Sequence, residues 1–147
     1  MFKIILFFFF LLSAFQSLAA EEYFLTLRND KVNLRQGPSF EYPIKLFYKK
    51  KFLPVLVQDK YDNFRKIRDH ENNTGWIHIS QLSKRKAALI IDDEQLIFNK
   101  PSIYSKPSAV LKKGRLCKIK KCNKNWCKVN VENYKGWVKK ESLWGLL

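Results

Sequence analysis

Three cysteines and two histidines are the residues of this chain whose types most often support metal binding, redox chemistry or nucleophilic catalysis. The cysteines fall in the stretch CKIKKCNKNWC as Cys117, Cys122 and Cys127. A structural zinc site needs about four ligands, usually with about two to four residues between paired cysteines. The histidines, His70 and His78, lie in the other half of the chain. With only three cysteines and no histidine near them, the sequence predicts no metal site, no catalytic residues and no cofactor, and it leaves a disulfide as the expected chemistry.

The amino-terminal residues 1–20 have the pattern of a secretory signal peptide. Lys3 supplies one positive charge, an apolar run covers 4–12, and small residues follow. The run is well short of the roughly 20 residues that a membrane-spanning helix needs. Cleavage before Glu21 or Glu22 is therefore expected, with an uncleaved anchor as the alternative. The mature chain would have no transmembrane segment and would be periplasmic or secreted, where disulfides form and persist.

The chain is strongly basic, with 28 Lys and Arg against 13 Asp and Glu and a formal net charge of +15. Such a surface attracts anionic partners, which for an exported protein include envelope polymers and lipid headgroups. The alternative is compositional, because lysine is a common solubilising residue in sequences that are also rich in Asn and Ile. Charge alone therefore names no partner.

Short segments rich in β-branched and aromatic residues predict an all-β fold. They recur at an offset of roughly sixty residues, the kind of period that marks an internal repeat. FRKI (64–67) matches WCKV (126–129), and GWIHISQL (75–82) matches GWVKKESL (136–143). Alternation along the last strand but one places Val129 on the inner face. The chain is therefore predicted to contain two copies of one small β unit.

The first copy carries a recognisable motif. VNLRQGPSFEYPI (32–44), followed by FLPVLV, FRKIRD and GWIHISQL, resembles the bacterial SH3 domain (SH3b), which has an Asn-hydrophobic-Arg-x-Gly-Pro-Ser lead-in and a later Gly-Trp strand. The second copy, which ends in LWGLL, is similar to the second repeat of small exported bacterial proteins made of two such units. The resemblance implies two tandem SH3-like β-barrels, residues 23–85 and 86–147, after the signal peptide. It also implies a non-enzymatic binding module.

The two copies depart from the family pattern in different places. A glycine commonly precedes the second strand; the second copy has Gly114 there, and the first is expected to have Lys51. The second copy lacks a glycine before Pro101 and is aligned with Asn99 where the motif has arginine. The two units are therefore not expected to bind the same ligand in the same way.

The cysteine hairpin has two possible pairings. Cys122 and Cys127 bracket NKNW, a turn-forming stretch between two predicted strands, so a hairpin would bring them face to face. The same pair matches the cysteines of the second repeat in the resembled family. Cys117 shares the inward parity of Ile119 and is expected to be a buried free thiol. A bond between Cys117 and Cys127 is the competing pairing.

Aromatic and apolar residues supply the predicted core. Trp76, Trp137, Ile67 and Val129 are assigned to the barrel cores, since buried aromatic rings dominate the energetics of small domains. The alternative for the two tryptophans is a role as ligand platforms.

The lead-in loop supplies the candidate ligand-binding residues. Its rings cannot all be buried in so small a unit, and exposed rings next to lysines could hold sugars or peptide stems. We therefore predict ligand binding by Phe40, Tyr42 and Tyr48. The alternative places Phe47 and Phe52 in the core with the tyrosines at its edge.

The resulting hypothesis is an exported module that binds peptidoglycan or a protein of the cell envelope. One alternative is a scaffold or chaperone-like partner of another periplasmic protein. Another is electrostatic binding to anionic envelope polymers or lipids, which the basic connector SKRKA (83–87) could contact. Export makes nucleic acid an unexpected partner.

Overall fold

The computed structural model describes residues 19–147, in which nearly all of the regular secondary structure is antiparallel β-sheet. Nearly all of the predicted signal peptide, residues 1–20, lies outside the described residues. The first seven strands form one sheet in the order β3-β2-β6-β5-β4-β1-β7. Their bounds are β1 (Tyr23–Leu27), β2 (Val32–Arg35), β3 (Ile44–Tyr48), β4 (Pro54–Tyr61), β5 (Phe64–Arg68), β6 (Thr74–His78) and β7 (Leu82–Ser83).

The remaining seven strands form a second sheet in the order β10-β9-β13-β12-β11-β8-β14. Each strand takes the position of the strand seven places earlier in the chain, which confirms the predicted all-β fold and its internal repeat. The strands are β8 (Ala87–Ile90), β9 (Glu94–Phe98), β10 (Pro107–Lys112), β11 (Leu116–Cys122), β12 (Trp126–Val131), β13 (Tyr134–Lys139) and β14 (Leu143–Trp144).

Helical structure within residues 19–147 is confined to two short 3₁₀ turns, one before the last strand of each sheet. They are Ile79–Gln81 and Lys140–Ser142. Neither is long and apolar enough to cross a membrane.

Side-chain alternation builds the interior of each sheet. Along β12, Cys127, Val129 and Val131 are buried, whereas Trp126 on the other face is partly exposed. This is the period of two that a half-buried strand requires. Ile67 holds the equivalent inward position on β5, and both Ile67 and Val129 are 0% exposed. These two residues therefore lie in the cores.

The core of the first sheet also receives residues from the second. Leu89 of β8 is one of its buried members, and Leu116 and Trp144 pack against it. Trp144 also meets Phe24 of β1 edge-on, with ring centroids 4.9 Å apart. The two units are therefore docked through a shared apolar contact, whose removal from water stabilises the docked arrangement.

A glycine stands at the same point of both sheets, one residue before the strand tryptophan. A Cβ at Gly75 would lie 2.7 Å from the backbone oxygen of Arg35, and a Cβ at Gly136 would lie 2.6 Å from that of Phe98. Any side chain here would push the neighbouring strand away. Glycine therefore allows β2 to approach β6 and β9 to approach β13.

The turns that precede β4 and β11 match each other in their hydrogen bonds. The amide of Phe52 donates to the carbonyl of Leu27 at 2.9 Å, and that of Gly114 donates to the carbonyl of Ile90 at 2.8 Å. Both residues have a left-handed φ, +65° and +80°. Phe52, not Lys51, therefore occupies the position of Gly114, which corrects the alignment made from sequence. The left-handed conformation costs an L-residue about 1–2 kcal/mol, so Phe52 is an unfavourable residue for this turn.

Cys122 and Cys127 are bonded to each other across the β11–β12 hairpin, as predicted. The equivalent register pair of the first sheet is Lys60 with Arg65. Cys117 is free and fully buried, so the competing pairing of Cys117 with Cys127 is wrong. Burial raises the pKa of the Cys117 thiol to about 12, which keeps it protonated and weakly nucleophilic at neutral pH.

Reduction of the disulfide should destabilise the protein by a modest, measurable amount. The bonded residues are only 5 apart in sequence, so we expect the free energy of unfolding to fall by about 2 kcal/mol. Urea unfolding of Cys117→Ala, with and without reductant, isolates the effect because that variant can form only one bond. The double variant Cys122→Ala with Cys127→Ala is the control and should not respond to reductant. An unchanged stability of Cys117→Ala on reduction would contradict the expected contribution.

Candidate ligand-binding surface

The loop between β2 and β3, residues 36–43, presents aromatic side chains to solvent. Phe40 is 64% exposed and Tyr42 is 47% exposed. At the end of β2, Arg35 Nη1 donates to the backbone oxygens of Phe40 (3.2 Å) and Tyr42 (3.0 Å). The guanidinium also lies over the Phe40 ring, 5.3 Å from its centroid. A Cβ at Gly37 would lie 2.4 Å from the Tyr42 ring, so this glycine provides the space in which the ring rests.

Phe40 covers two rings of the sheet beneath the loop. Its centroid lies 5.2 Å from that of Phe64 and 5.0 Å from that of His78. Phe64 and His78 are register partners on β5 and β6, and their centroids are 5.1 Å apart. Under this cover Phe64 is only 6% exposed. Neither Phe64 nor His78 is recognisable from the sequence alone as a neighbour of the loop. The repeat does mark one of them, because it aligns Phe64 with Trp126 and so indicates that an aromatic ring belongs at this position in both units.

The two strand tryptophans lie half-buried on the outer faces of β6 and β13. Gly75 and Gly136 are buried, and alternation turns the following residue to the opposite face. The predicted core position of Trp76 and Trp137 is therefore wrong. Each presents part of its ring to solvent instead.

Trp76 stands between two cations and next to the aromatic loop. Its register partners are Arg35 on β2 and Lys66 on β5. Arg35 is also the residue that holds Phe40 and Tyr42. We call Arg35, Phe40, Tyr42, Lys66 and Trp76 the Trp76 surface.

Tyr48, the third predicted ligand-binding residue, is separated from the Trp76 surface. It pairs with Val32, at the other end of β2 from Arg35, and it packs against the core. Its hydroxyl donates to Asp69 Oδ2 at 2.9 Å, and Asp69 is only 2% exposed. Burial, reinforced by the Asp69 carboxylate, raises the pKa of Tyr48 far above its ordinary value. The hydroxyl is thus engaged in a structural hydrogen bond.

The second unit replaces the motif arginine with an aromatic ring. Phe98 stands opposite Trp137 in the sheet, as Arg35 stands opposite Trp76. Phe98, rather than Asn99, therefore takes the place of the arginine. A guanidinium that binds loop carbonyls in one unit has no counterpart in the other.

The loop of the second unit is consequently held in a different way. Phe98 packs edge-on against Trp126, with ring centroids 5.6 Å apart. Its phenyl ring has no donor with which to bind loop carbonyls as Arg35 does. Ser105 Oγ donates to the backbone oxygen of Ser102 at 2.6 Å. Tyr104, near the tip of the loop, is 94% exposed. The two units therefore present different surfaces on the same frame.

The two histidines lie in separate places. His78 belongs to the ring cluster under Phe40, and its Nδ1 lies 2.7 Å from Ser80 Oγ. His70 lies in the β5–β6 turn, with its ring centroid 6.1 Å from that of Trp144. In the described part of the chain, no three His, Cys, Asp or Glu side chains come together as metal ligands would.

Comparison with known proteins gives one family and several solved structures that align with part of their length. The bacterial SH3 domain family matches residues 28–84 and again residues 92–145. NlpC2 and NlpC1 from Trichomonas vaginalis, with 14% and 15% identity and TM-scores of 0.38, each align with 84% of this chain and with 48% and 45% of their own. An NlpC/P60 family protein from Bacillus cereus, with 12% identity and a TM-score of 0.37, aligns over 82% of this chain and 55% of its own.

This chain thus spans about half the length of those structures. No curated protein sequence matches it. The two family matches fall on the two seven-stranded sheets, one on each. The chain therefore belongs to the bacterial SH3 domain family and contains two tandem copies of the domain.

Proposed function

We propose that the protein is an exported, non-enzymatic binding module that recognises peptidoglycan through the Trp76 surface of its first unit. Membership of a family of binding domains supports the general role. The observation that favours this ligand is the pair of exposed rings at Phe40 and Tyr42 with the half-buried ring of Trp76, beside the cations Arg35 and Lys66.

The chemistry of the surface suits a polymer of sugars and short acidic peptides. Exposed aromatic rings stack on the apolar faces of sugar rings, and they line the grooves in which SH3 domains hold extended peptides. Arg35 and Lys66 can bind the carboxylates of stem peptides. Because Arg35 already fixes the loop backbone through two hydrogen bonds, little conformational freedom is lost on binding.

Export is proposed on two grounds. Residues 1–20 have the composition of a signal peptide, and the Cys122–Cys127 bond is of the kind that persists in oxidising compartments. A protein of the cell envelope, bound in the same way, is the alternative partner for the Trp76 surface.

Processing of the amino terminus tests export directly. Sequencing of the protein from the periplasmic or secreted fraction should give a chain that begins at Glu21 or Glu22. Leu6→Arg places a charge in the apolar run and should leave an unprocessed chain inside the cell. Recovery of the wild-type protein in the cytoplasm with its first twenty residues attached would contradict export.

Retention on purified sacculi tests the ligand. Replacing Phe40 and Tyr42 together with alanine removes two stacking rings, so the dissociation constant should rise by about tenfold or more. The matched control is Ile103→Ala with Tyr104→Ala, which removes two side chains of 52% and 94% exposure from the loop of the second unit. The control should bind as the wild type does.

Three results would count against the proposal. Absence of wild-type binding to sacculi at low salt would exclude the wall as ligand. Equal losses in the two double variants would exclude the Trp76 surface as the site. Crosslinking to one envelope protein in intact cells, without sacculus binding, would favour the scaffold alternative.

A further inference from the structure

Three cations from three segments converge on one phenyl ring where the two units meet. The ring is that of Phe52, in the turn before β4. Lys118 Nζ lies 4.9 Å from its centroid, Lys51 Nζ lies 5.4 Å away, and the guanidinium carbon of Arg85 lies 5.9 Å away. Lys51 belongs to the first unit, Arg85 to the connector and Lys118 to β11. We call these four residues the junction cluster.

The positive charge of the junction cluster is not compensated by carboxylates. Within residues 19–147, none of the four ion pairs includes Lys51, Arg85 or Lys118. Like charges drawn to one ring repel each other, and the negative face of the ring offsets that repulsion only in part. The cluster therefore creates a region of positive electrostatic potential, which attracts anions.

The backbone of Phe52 indicates that its side chain has a role of its own. The turn requires a left-handed φ, which Gly114 adopts at the same place in the second unit without steric cost. A side chain kept in an unfavourable backbone conformation is a sign of a functional requirement. Here the ring gathers the three cations.

Lys118 of the cluster also lines an open cleft of about 440 Å³, together with Lys50, Arg115, Asn130 and Glu132. Arg115 pairs with Glu132 at 3.2 Å, which leaves the two lysines without a carboxylate partner in the described part of the chain.

We propose that the junction cluster and this cleft bind an anionic polysaccharide, a hydroxyl-bearing chain that carries carboxylate or phosphate groups. Lys51, Arg85 and Lys118 bind the acidic groups. The cleft beside Lys118 is concave, which fits a single polymer chain better than the flat array of headgroups on a membrane. It is separate from the Trp76 surface and does not depend on the function proposed for that surface.

The test measures binding of the purified protein to four probes over a salt series. These are polygalacturonate, phosphorylated dextran, neutral dextran and vesicles that contain phosphatidylglycerol. The variant Lys51→Gln/Arg85→Gln/Lys118→Gln should bind the charged polysaccharides at least about tenfold more weakly at low salt, with a shallower salt dependence.

A matched variant, Lys60→Gln/Lys100→Gln/Lys106→Gln, removes the same charge away from the junction and should stay within about threefold of wild type. Binding to polygalacturonate alone identifies carboxylate as the recognised group, and binding to phosphorylated dextran alone identifies phosphate; either supports the site. Absence of binding to both, equal losses in the two triple variants, or tighter binding to vesicles or to neutral dextran would overturn it.

Phe52→Gly separates a ligand role for the ring from a packing role. Glycine relaxes the turn, so the thermal unfolding midpoint should equal or exceed that of wild type. The affinity for charged polysaccharide should fall about threefold to tenfold as the cations disperse. A lower midpoint with unchanged affinity would overturn the role assigned to the ring. Phe40→Ala with Tyr42→Ala should bind these probes normally, so the two proposals can fail independently.

Discussion

The close approach of β2 to β6 at Gly75 is the contact on which the surface of the first unit depends. Because the carbonyl of Arg35 fills the space that a Cβ would take, the end of β2 is held directly beside Trp76. The loop that begins there is therefore anchored at a fixed point, and the arginine side chain can reach the carbonyls of Phe40 and Tyr42. A larger residue at position 75 would displace the strand, the arginine and the loop together. The arrangement of the surface is thus a consequence of one missing side chain in the sheet.

The second unit has the same constraint at Gly136 and a different outcome. There the neighbouring strand supplies Phe98, which packs on Trp126 and does not hold the loop. The exposed Tyr104 is supported by local hydrogen bonds of the loop itself, and the cysteine hairpin is covalently closed where the first unit has a pair of cations. One fold thus carries two chemically distinct surfaces, because fold is set by the strand pattern and function by the residues placed on it.

The features that the sequence predicted well depend on local pattern. Strand alternation and the turn between Cys122 and Cys127 are decided by neighbours in the chain, and the sixty-residue repeat is the recurrence of such local patterns. The errors arose where the decisive partner is distant or is a backbone atom. Residue type favours the core for Trp76, whereas the inward-facing Gly75 turns Trp76 to the outer face of the sheet. The hydrogen bond of Tyr48 to Asp69, 21 residues further along the chain, is likewise not visible in the sequence.

The equivalence of the Phe52 turn to the Gly114 turn also could not be predicted from the sequence. Glycine is the residue expected in a turn with a left-handed φ, so Gly114 is predictable from its type. A phenylalanine in the equivalent turn is not, and only the matching backbone hydrogen bonds of Phe52 and Gly114 show that the two turns correspond. The position of its ring relative to Arg85 and Lys118 follows from the docking of the units, in which Leu89 enters the first core. The apolar packing that docks the units therefore also assembles the junction cluster. If both proposed surfaces bind groups on one polymer, the second contact is effectively intramolecular, which raises the overall affinity without any new contact.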